Sequence, residues 1–382
     1  MNCEFLVVGA GIAGASAGYE LSRHGSVVLL EREDRPAYHS TGRSAAFFTV
    51  NYGNRVIRAL TEASRAFLSS PPDRFAAHPL MAARGVLTIA RADQMETFEA
   101  NLAEARKLTD EIAPVTVAEA HRMMPVLRPD YVAAAHFEAG QYMDVDLLHS
   151  GYLRALTGRG GKLVCGAEVR RIERVGGVWR ATTPAGDFEA PILVDAAGAW
   201  ADEIARMAGV RGVGLVPKRR TVIIFPGPEG VELNGAPMVI DVDEQFYFKP
   251  EAGKILASPA DETPSPPCDA RPEEIDIAVT VERIQRASRL RVARIEHSWA
   301  GLRSFVADKT LVIGPDPDTD GFLWLAGQGG YGIMTSPAAA RAVAALATGG
   351  VWPGDLAARE VTAEHLAPGR PALAADRNAS AP

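Results

Sequence analysis

Apolar residues fall along this chain in two kinds of pattern. Short unbroken runs come first: Phe5-Leu6-Val7-Val8 and Val27-Val28-Leu29-Leu30 each read as a buried strand. Between them, Gly9-Ala10-Gly11-Ile12-Ala13-Gly14 opens a small-residue segment that reads as a turn into a helix. Helical spacing returns over 54–69, where Val56, Ile57, Leu60, Ala63, Phe67 and Leu68 are apolar. Asp93 is placed to cap a helix reaching about Leu108, Thr116 and Glu119 have capping-box spacing, and Asp146 starts a helix to about Thr157. Residues 85–90, 168–172 and 178–181 read as strands. Ile192-Leu193-Val194-Asp195 is a buried strand that passes through Ala196-Ala197-Gly198-Ala199-Trp200, a small-residue turn, into another helix. Residues 221–226, 238–241, 246–250 and 255–258 are short strands separated by turns, as in a meander. An Ala-rich helix over 333–348 ends at Gly349-Gly350, and the Pro/Ala-rich tail from Ala367 reads as disordered.

This pattern predicts an α/β fold of two interleaved domains. A Rossmann-type nucleotide-binding domain takes residues 1–80, 140–215 and 300–366, because the apolar runs 310–314 and 322–326 return to it. A substrate domain on an antiparallel or mixed sheet takes 81–139 and 216–299, and 367–382 is left as a tail. The active site is expected at the interface of the two.

Composition narrows the function classes. A net charge of −7 argues against nucleic acid as a partner. No apolar run approaches the length of a membrane span, and the first strand begins too early for a signal peptide. The expected location is cytoplasmic, with peripheral attachment at the inner membrane as a variant. Cys3, Cys165 and Cys268 have no metal-ligand spacing, so no metal is expected, and an odd count favours a reducing compartment.

The strongest chemical signal is the first βαβ unit. Gly9 makes the tight turn, Gly11 lets a pyrophosphate approach the backbone, and Gly14 lets helix and strand pack closely. Glu31, seventeen residues after Gly14 at the end of the second strand, can accept from a ribose 2′-OH and disfavours a 2′-phosphate. The chain then enters a loop of small and hydroxylated residues containing His39, Arg43 and Ser44. Such a loop can wrap an extended FAD through backbone N–H groups and Arg43, whereas a nicotinamide enzyme would continue into another βα repeat. Taken alone, His39 reads as a surface-loop histidine.

At this point the chain resembles the D-amino-acid oxidase superfamily of FAD-dependent oxidoreductases. Within it, His39–Ala46, Leu215–Arg220, Asp243–Pro250, Trp299–Phe305 and Gly327–Ile333 are similar to D-arginine dehydrogenases, from about residue 1 to about residue 350. The resemblance implies non-covalent FAD, since no cysteine lies near Gly329-Gly330. It implies contacts from Gly9, Gly11, Ile12, Ala13, Gly14, Glu31 and Arg32, and from the loop residues His39, Ser40, Thr41, Gly42, Arg43, Ser44, Ala45 and Ala46. Further contacts are implied for Val169, Ala197, Gly198, Trp200 and Arg303, and for Gly329, Gly330, Tyr331, Gly332, Ile333 and Met334. The last group is a second Gly-rich turn opening a helix, whose N-terminus can face the flavin edge where reduction builds negative charge.

Oxidation of an amino acid needs a grip on the carboxylate. Arginine suits this because its planar fork binds a carboxylate bidentately and stays charged. Arg220 and Arg303 stand out, the latter inside an otherwise apolar segment; spacing alone leaves structural ion pairs equally open. The resemblance implies that both bind the carboxylate together with Tyr52 and Tyr247. It also implies that the Gly330 carbonyl receives the amine and that Thr49 lies near amine and flavin. Phe47, Val86 and Met334 stand where D-arginine dehydrogenases carry histidine, glutamate and glutamine. The residue that would pair with a guanidinium is thus absent, unless an acid arrives from another loop. A pocket lined this way favours apolar D-amino acids, at roughly 0.8 kcal/mol per buried methylene.

The expected activity is FAD-dependent oxidation of D-amino acids to imino acids, which hydrolyse to 2-oxo acids and ammonia. Competing readings are another amine or hydroxy-acid flavoenzyme, such as a glycine or sarcosine oxidase, and a non-catalytic FAD-binding protein. The electron acceptor (O₂, a quinone or a protein), the acid–base group and the oligomeric state are not encoded in any motif.

Overall fold

The computed structural model describes residues 1–107 and 109–379. Leu108, at the expected end of the 93–108 helix, and the last three tail residues lie outside the described residues. The two N-terminal apolar runs form adjacent parallel strands, Phe5–Val8 and Val27–Leu30, every residue buried, joined by the Ile12–Leu21 helix. Around them, among the described residues, a six-stranded sheet runs in the order Val312–Pro315, Phe322–Ala326, Ile192–Asp195, Phe5–Val8, Val27–Leu30, Lys162–Val164. Its strands are parallel except for the first pair, which is a hairpin. One face packs against the Ile12–Leu21, Val145–Gly158 and Gly332–Thr348 helices, whose small residues allow close approach.

A nine-stranded mixed sheet forms the second layer. Met238–Asp241, Tyr247–Glu251 and Lys254–Ser258 are a meander. Val216–Pro226 then pairs antiparallel with Lys254–Ser258 on one side and His297–Phe305 on the other. The sheet is mixed because Met238–Asp241 runs parallel to Val86–Arg91. Strand alternation gives it two faces. Ile223, Phe225, Val239, Phe248, Ile255 and Ala257 point to one side, under the Glu274–Ala287 helix with Ile284 and Ala287. Val222, Met238, Tyr247 and Leu256 point to the other, toward Ala45, Phe47 and Trp299.

Several local expectations are corrected. Asp93 does not cap a helix: its carboxylate turns back to Arg91 (3.1 Å), a 3-10 turn covers Ala92–Gln94, and the helix runs Met95–Arg106. Asp144, rather than Asp146, caps Val145–Gly158, because its extended backbone lets the carboxylate accept the Leu147 N–H at 2.8 Å. The 168–172 strand begins only at Arg171. The preceding backbone is taken up instead by Gly166 and Ala167 donating to the Glu33 and Glu31 carbonyls. The tail from Ala367 to Ala379 is not disordered. Arg370 is buried and ion-paired to Asp308 at 2.8 Å, Arg377 is buried and paired to Asp316 at 3.1 Å, and Leu373 is fully buried. Two arginines with carboxylate partners anchor a segment whose composition alone predicts no core. The Thr116 capping box and the Asn54-capped Arg55–Ser69 helix form as expected.

Candidate active site

Between the two sheets lies a cleft of about 880 Å³, open solvent at its mouth included. The N-termini of two long helices meet on its wall: Gly11, Ile12 and Ala13 from one, Gly330, Gly332 and Ile333 from the other. Neither helix has a side-chain cap from its N-cap residue or an acid in its first turn. Both ends therefore turn positive potential and backbone N–H groups into the cleft, as a diphosphate or a reducing ring requires.

The glycines are there for space. Gly9 has φ +99°, and a Cβ on it would lie 2.5 Å from the Ala196 carbonyl oxygen; a Cβ on Gly14 would strike the Gly9 carbonyl. Removing either glycine would separate the turn from the strand beside it. Glu31 is buried at the foot of this turn, accepting from Ala10 N at 3.1 Å and Glu33 N at 3.0 Å. Burial raises its carboxyl pKa, against those two hydrogen bonds. The two helix N-termini and the buried acid at the foot of the first turn fit the diphosphate and ribose of a dinucleotide.

The predicted cofactor residues divide into two groups. Ser40, Thr41, Arg43, Ser44, Ala45, Gly198, Arg303 and Gly329 line the cleft together with the helix ends. Thr41 Oγ1 accepts the Ile12 N–H at 2.9 Å, which pins the loop to the helix start. Glu31, Arg32, His39, Gly42, Ala46, Val169, Ala197, Trp200, Tyr331 and Met334 stand behind that lining. Arg32 lies 5.0 Å over the Trp200 ring, and His39 packs on the same ring and meets Glu33 at 2.9 Å. Arg43 borders the cleft, but its guanidinium is committed to protein: it donates to the Ala270 and Ala300 carbonyls at 2.8 and 3.0 Å and pairs with Asp269. Its role here is to lock the loop to the second sheet. Sequence reasoning missed Ala196, Ala199, Val222, Gly301, Leu302, Ser304 and Gln328 in the lining. All but Val222 lie in motif segments that the sequence singles out, without being named as site residues there; Val222 is delivered by register on the second sheet, where Arg220 pairs with Gly301.

The other end of the cleft holds the polar cluster. Arg303 Nη1 donates to Tyr52 Oη at 3.3 Å. A Cβ on Gly330 would lie 3.0 Å from Arg303 Nη1 and 3.1 Å from Tyr52 Oη, so these three residues touch. Arg220 and Tyr247 share the inner face of the sheet, with the guanidinium 6.0 Å from the ring centroid, and both line the cleft. The two arginines differ in their partners. Arg220 donates to the Asp261 carbonyl at 2.9 Å and lies 3.8–3.9 Å from the Asp261 and Glu262 carboxylates. Its neighbour Arg219, on the opposite face, is held by Asp276 (2.9 Å) and Glu273 (2.6 Å). Arg303 makes no ion pair among the described residues. Burial pushes the Tyr247 phenol up, but the Arg303 and Arg220 guanidiniums outweigh it and hold the phenol below its ordinary value. For Tyr52 burial wins over Arg303 and the phenol is raised.

Phe47 is half-buried against the Tyr247 cluster, while Phe48 is fully buried in the main core. Phe47 and Val86 converge on Gly140, where a Cβ would lie 2.8 and 2.9 Å from them. Met334 is 3% exposed and belongs to the main core, so it is not in the cleft lining. Thr49 is half-buried and accepts the Asn51 N–H at 3.4 Å. No helix among the described residues is long and apolar enough to cross a membrane.

The profile of the family described as DAO, FAD dependent oxidoreductase, matches residues 4–346. The chain is 25% identical to the Bos taurus FAD-dependent oxidoreductase domain-containing protein 1, over 89% of this chain and 80% of that protein. Among solved structures it resembles glycine oxidase from Geobacillus kaustophilus, with TM-score 0.83, 21% identity, and coverage of 94% of this chain and 98% of that one. It also resembles iminodiacetate oxidase from Chelativorans sp. BNC1, with TM-score 0.81, 21% identity, and coverage of 96% and 99%. At these identities the structural likenesses establish the fold. The finer resemblance to D-arginine dehydrogenases is not established by these comparisons.

Proposed function

We propose that this chain, which belongs to the DAO family of FAD-dependent oxidoreductases, oxidises the Cα–N bond of α-amino acids, with D-amino acids of apolar side chain as its preferred substrates. The observation that carries the proposal is Arg303. It is a guanidinium facing the cleft, without a carboxylate partner among the described residues, in contact with Tyr52 and Gly330. A partly desolvated cation of this kind calls for an anion, and a substrate carboxylate supplies it.

Bound FAD supplies the hydride acceptor. The protein's residues do the rest. Arg303 and Tyr52 hold the α-carboxylate from one side, and Arg220 with Tyr247 from the other. Tyr247 binds as the neutral phenol, donating to the carboxylate. The Gly330 carbonyl accepts from the amine, which gives its proton to solvent. Cα then loses its hydrogen with the bonding pair, leaving an imino acid that water converts to the 2-oxo acid and ammonia. The resemblance assigns the apolar side of the pocket to Phe47 and Val86, which meet at Gly140 outside the cleft lining, Val86 being buried in the main core as Met334 is. Asp261 and Glu262 already face Arg220, and Glu262 is also paired with Lys218. The carboxylate that acts on Arg303 and Tyr52 is the exposed Glu244, which makes no ion pair among the described residues and is the acid a basic side chain would have to reach. The D preference rests on the likeness of the Arg220, Tyr247 and Arg303 segments to D-arginine dehydrogenases.

The test is anaerobic mixing of the holoenzyme with D- and L-amino acids, glycine, sarcosine and 2-hydroxy acids while the flavin absorbance is followed. D-Leucine, D-methionine or D-phenylalanine should bleach the flavin faster than D-arginine at equal, sub-saturating concentration. Val86→Glu should move the ratio toward basic substrates, its stability cost being read separately by thermal melting. Faster bleaching by an L-amino acid or a 2-hydroxy acid would overturn the substrate assignment.

A further inference from the structure

Two carboxylates lie beside the Arg220 guanidinium, and they are held differently. Asp261 is spent on the strand: one oxygen accepts the Thr221 N–H at 2.6 Å and the other the Thr221 hydroxyl at 3.0 Å. Glu262 is held by lysines instead. Its Oε2 accepts from Lys218 Nζ at 2.8 Å and lies 3.7 Å from Lys309 Nζ, while its Oε1 stops 3.8 Å from Arg220 Nη2, too far for a hydrogen bond. Burial pushes the Glu262 carboxyl up, but Lys218, Lys309 and Arg220 outweigh it and hold it below the ordinary value, so it is an anion at neutral pH. The two ammoniums are fixed in turn. Lys218 and Lys309 lie 5.3 and 5.6 Å from the centroid of the Phe305 ring, and Phe305 packs against Gly329 in the cleft wall. Register puts Lys218 directly opposite Arg303, so Lys218, Arg220 and Arg303 share the inner face of the sheet.

Glu262 is thus an anion a small side-chain rotation away from the guanidinium that a substrate carboxylate needs. If it closed the remaining gap, it would pair with the Arg220 fork and occupy it. Resting on the amino-acid reading above, we propose that Lys218 is a positioning residue: it holds Glu262 off Arg220 and so keeps that guanidinium open to the α-carboxylate. Lys309 backs it from the exposed side. The protein's own acid then does not compete with the substrate's.

The experiment uses the holoenzyme and makes Lys218→Met in two backgrounds, wild type and Glu262→Gln; Lys218→Gln serves should Lys218→Met fail to fold. Anaerobic flavin reduction by the best amino-acid substrate gives a Kd and a limiting rate constant. With Glu262 present, Lys218→Met should raise Kd about threefold to tenfold, the effect of a competing, partly exposed internal ion pair, and leave the limiting rate unchanged. In the Glu262→Gln background the same substitution should change Kd by less than about twofold. Flavin content should stay at wild-type level throughout. A second arm needs no turnover: benzoate titrated against flavin absorbance should show the same pattern. Failure of every amino acid to bleach wild type would sink the proposed function and leave this arm readable. A wild type that also ignores benzoate would remove Arg220 from carboxylate binding, and this proposal with it. An equal loss in both backgrounds would mean that Lys218 acts through its own charge, and no loss in either that Glu262 never reaches Arg220; both overturn the assignment. Loss of flavin from Lys218→Met would overturn it too, placing the ammonium on the cofactor.

Discussion

Replacing Arg303 by alanine should separate catalysis from stability. Among the described residues its guanidinium makes one hydrogen bond, to the Tyr52 phenol at 3.3 Å, and no ion pair. Removing it strands no protein carboxylate. Arg219, one strand position from Arg220 and on the opposite face, gives the contrast: its loss would break the buried pair with Asp276, at about 3–5 kcal/mol for breaking such a pair. Arg303→Ala should change unfolding free energy by no more than about 1 kcal/mol. Its effect should appear when the substrate carboxylate arrives. Truncating one side of a buried, hydrogen-bonded charge pair costs about 2–5 kcal/mol, or roughly thirtyfold to several-thousandfold in kcat/KM. Arg303→Lys should recover part of that, since an ammonium restores the charge and not the fork. The assay is anaerobic stopped-flow reduction of the flavin across substrate concentration, paired with urea melts of Arg303→Ala and Arg219→Ala. Near-wild-type reduction by Arg303→Ala, or a stability loss matching that of Arg219→Ala, would mean that Arg303 is a structural arginine.

Tyr247 must be protonated to donate to a carboxylate, and the two guanidiniums hold its phenol below the ordinary value. The kcat/KM profile should therefore fall on the alkaline side before an ordinary phenol titrates, at about pH 10, and Tyr247→Phe should remove that limb; a limb that survives in the variant belongs to another group. Asp195 is fully buried, with one oxygen accepting from Ala197 N at 3.1 Å and the other unpartnered, and burial holds its carboxyl well above the usual range. The stability linked to its proton is fully present below the unfolded value of about 3.9 and is lost as pH rises toward the folded value. Asp195→Asn should therefore raise the melting temperature at pH 8 and match wild type near pH 4, and equal shifts at both pH values would refute the buried-proton account. Acid precipitation should release the flavin into the supernatant, whereas colour retained in the pellet would show a covalent bond.

The first βαβ unit was legible from residues alone, because its signals are local: two four-residue apolar runs, glycines at fixed offsets and one acid. The same holds for the Thr116 capping box and for the Gly332–Thr348 helix with Gly349 in the left-handed conformation at its C-cap. Misplaced caps at Asp93 and Asp146 show the limit, since an acid near a helix start can bind an arginine or sit inside the first turn instead. The tail failed for a different reason. Arg370 and Arg377 look solvated in sequence, and only long-range pairing with Asp308, Asp316 and Asp318 buries them.

The sequence by itself determined that the chain builds a dinucleotide-binding turn; it singled out Arg220 and Arg303 as candidates, and only the resemblance added Tyr52 and Tyr247. Tertiary structure decided which of them face the cleft and which are already paired. Register on the second sheet turned Arg220 and Tyr247 inward and Arg219 outward. Folding spent Arg43 on Asp269 and the Ala270 and Ala300 carbonyls, withdrew Met334 into the core, and left Arg303 with no ion pair among the described residues. Spacing reports the residue types available for binding. Whether a charge is already satisfied depends on groups far away in sequence, and only the folded chain brings those together.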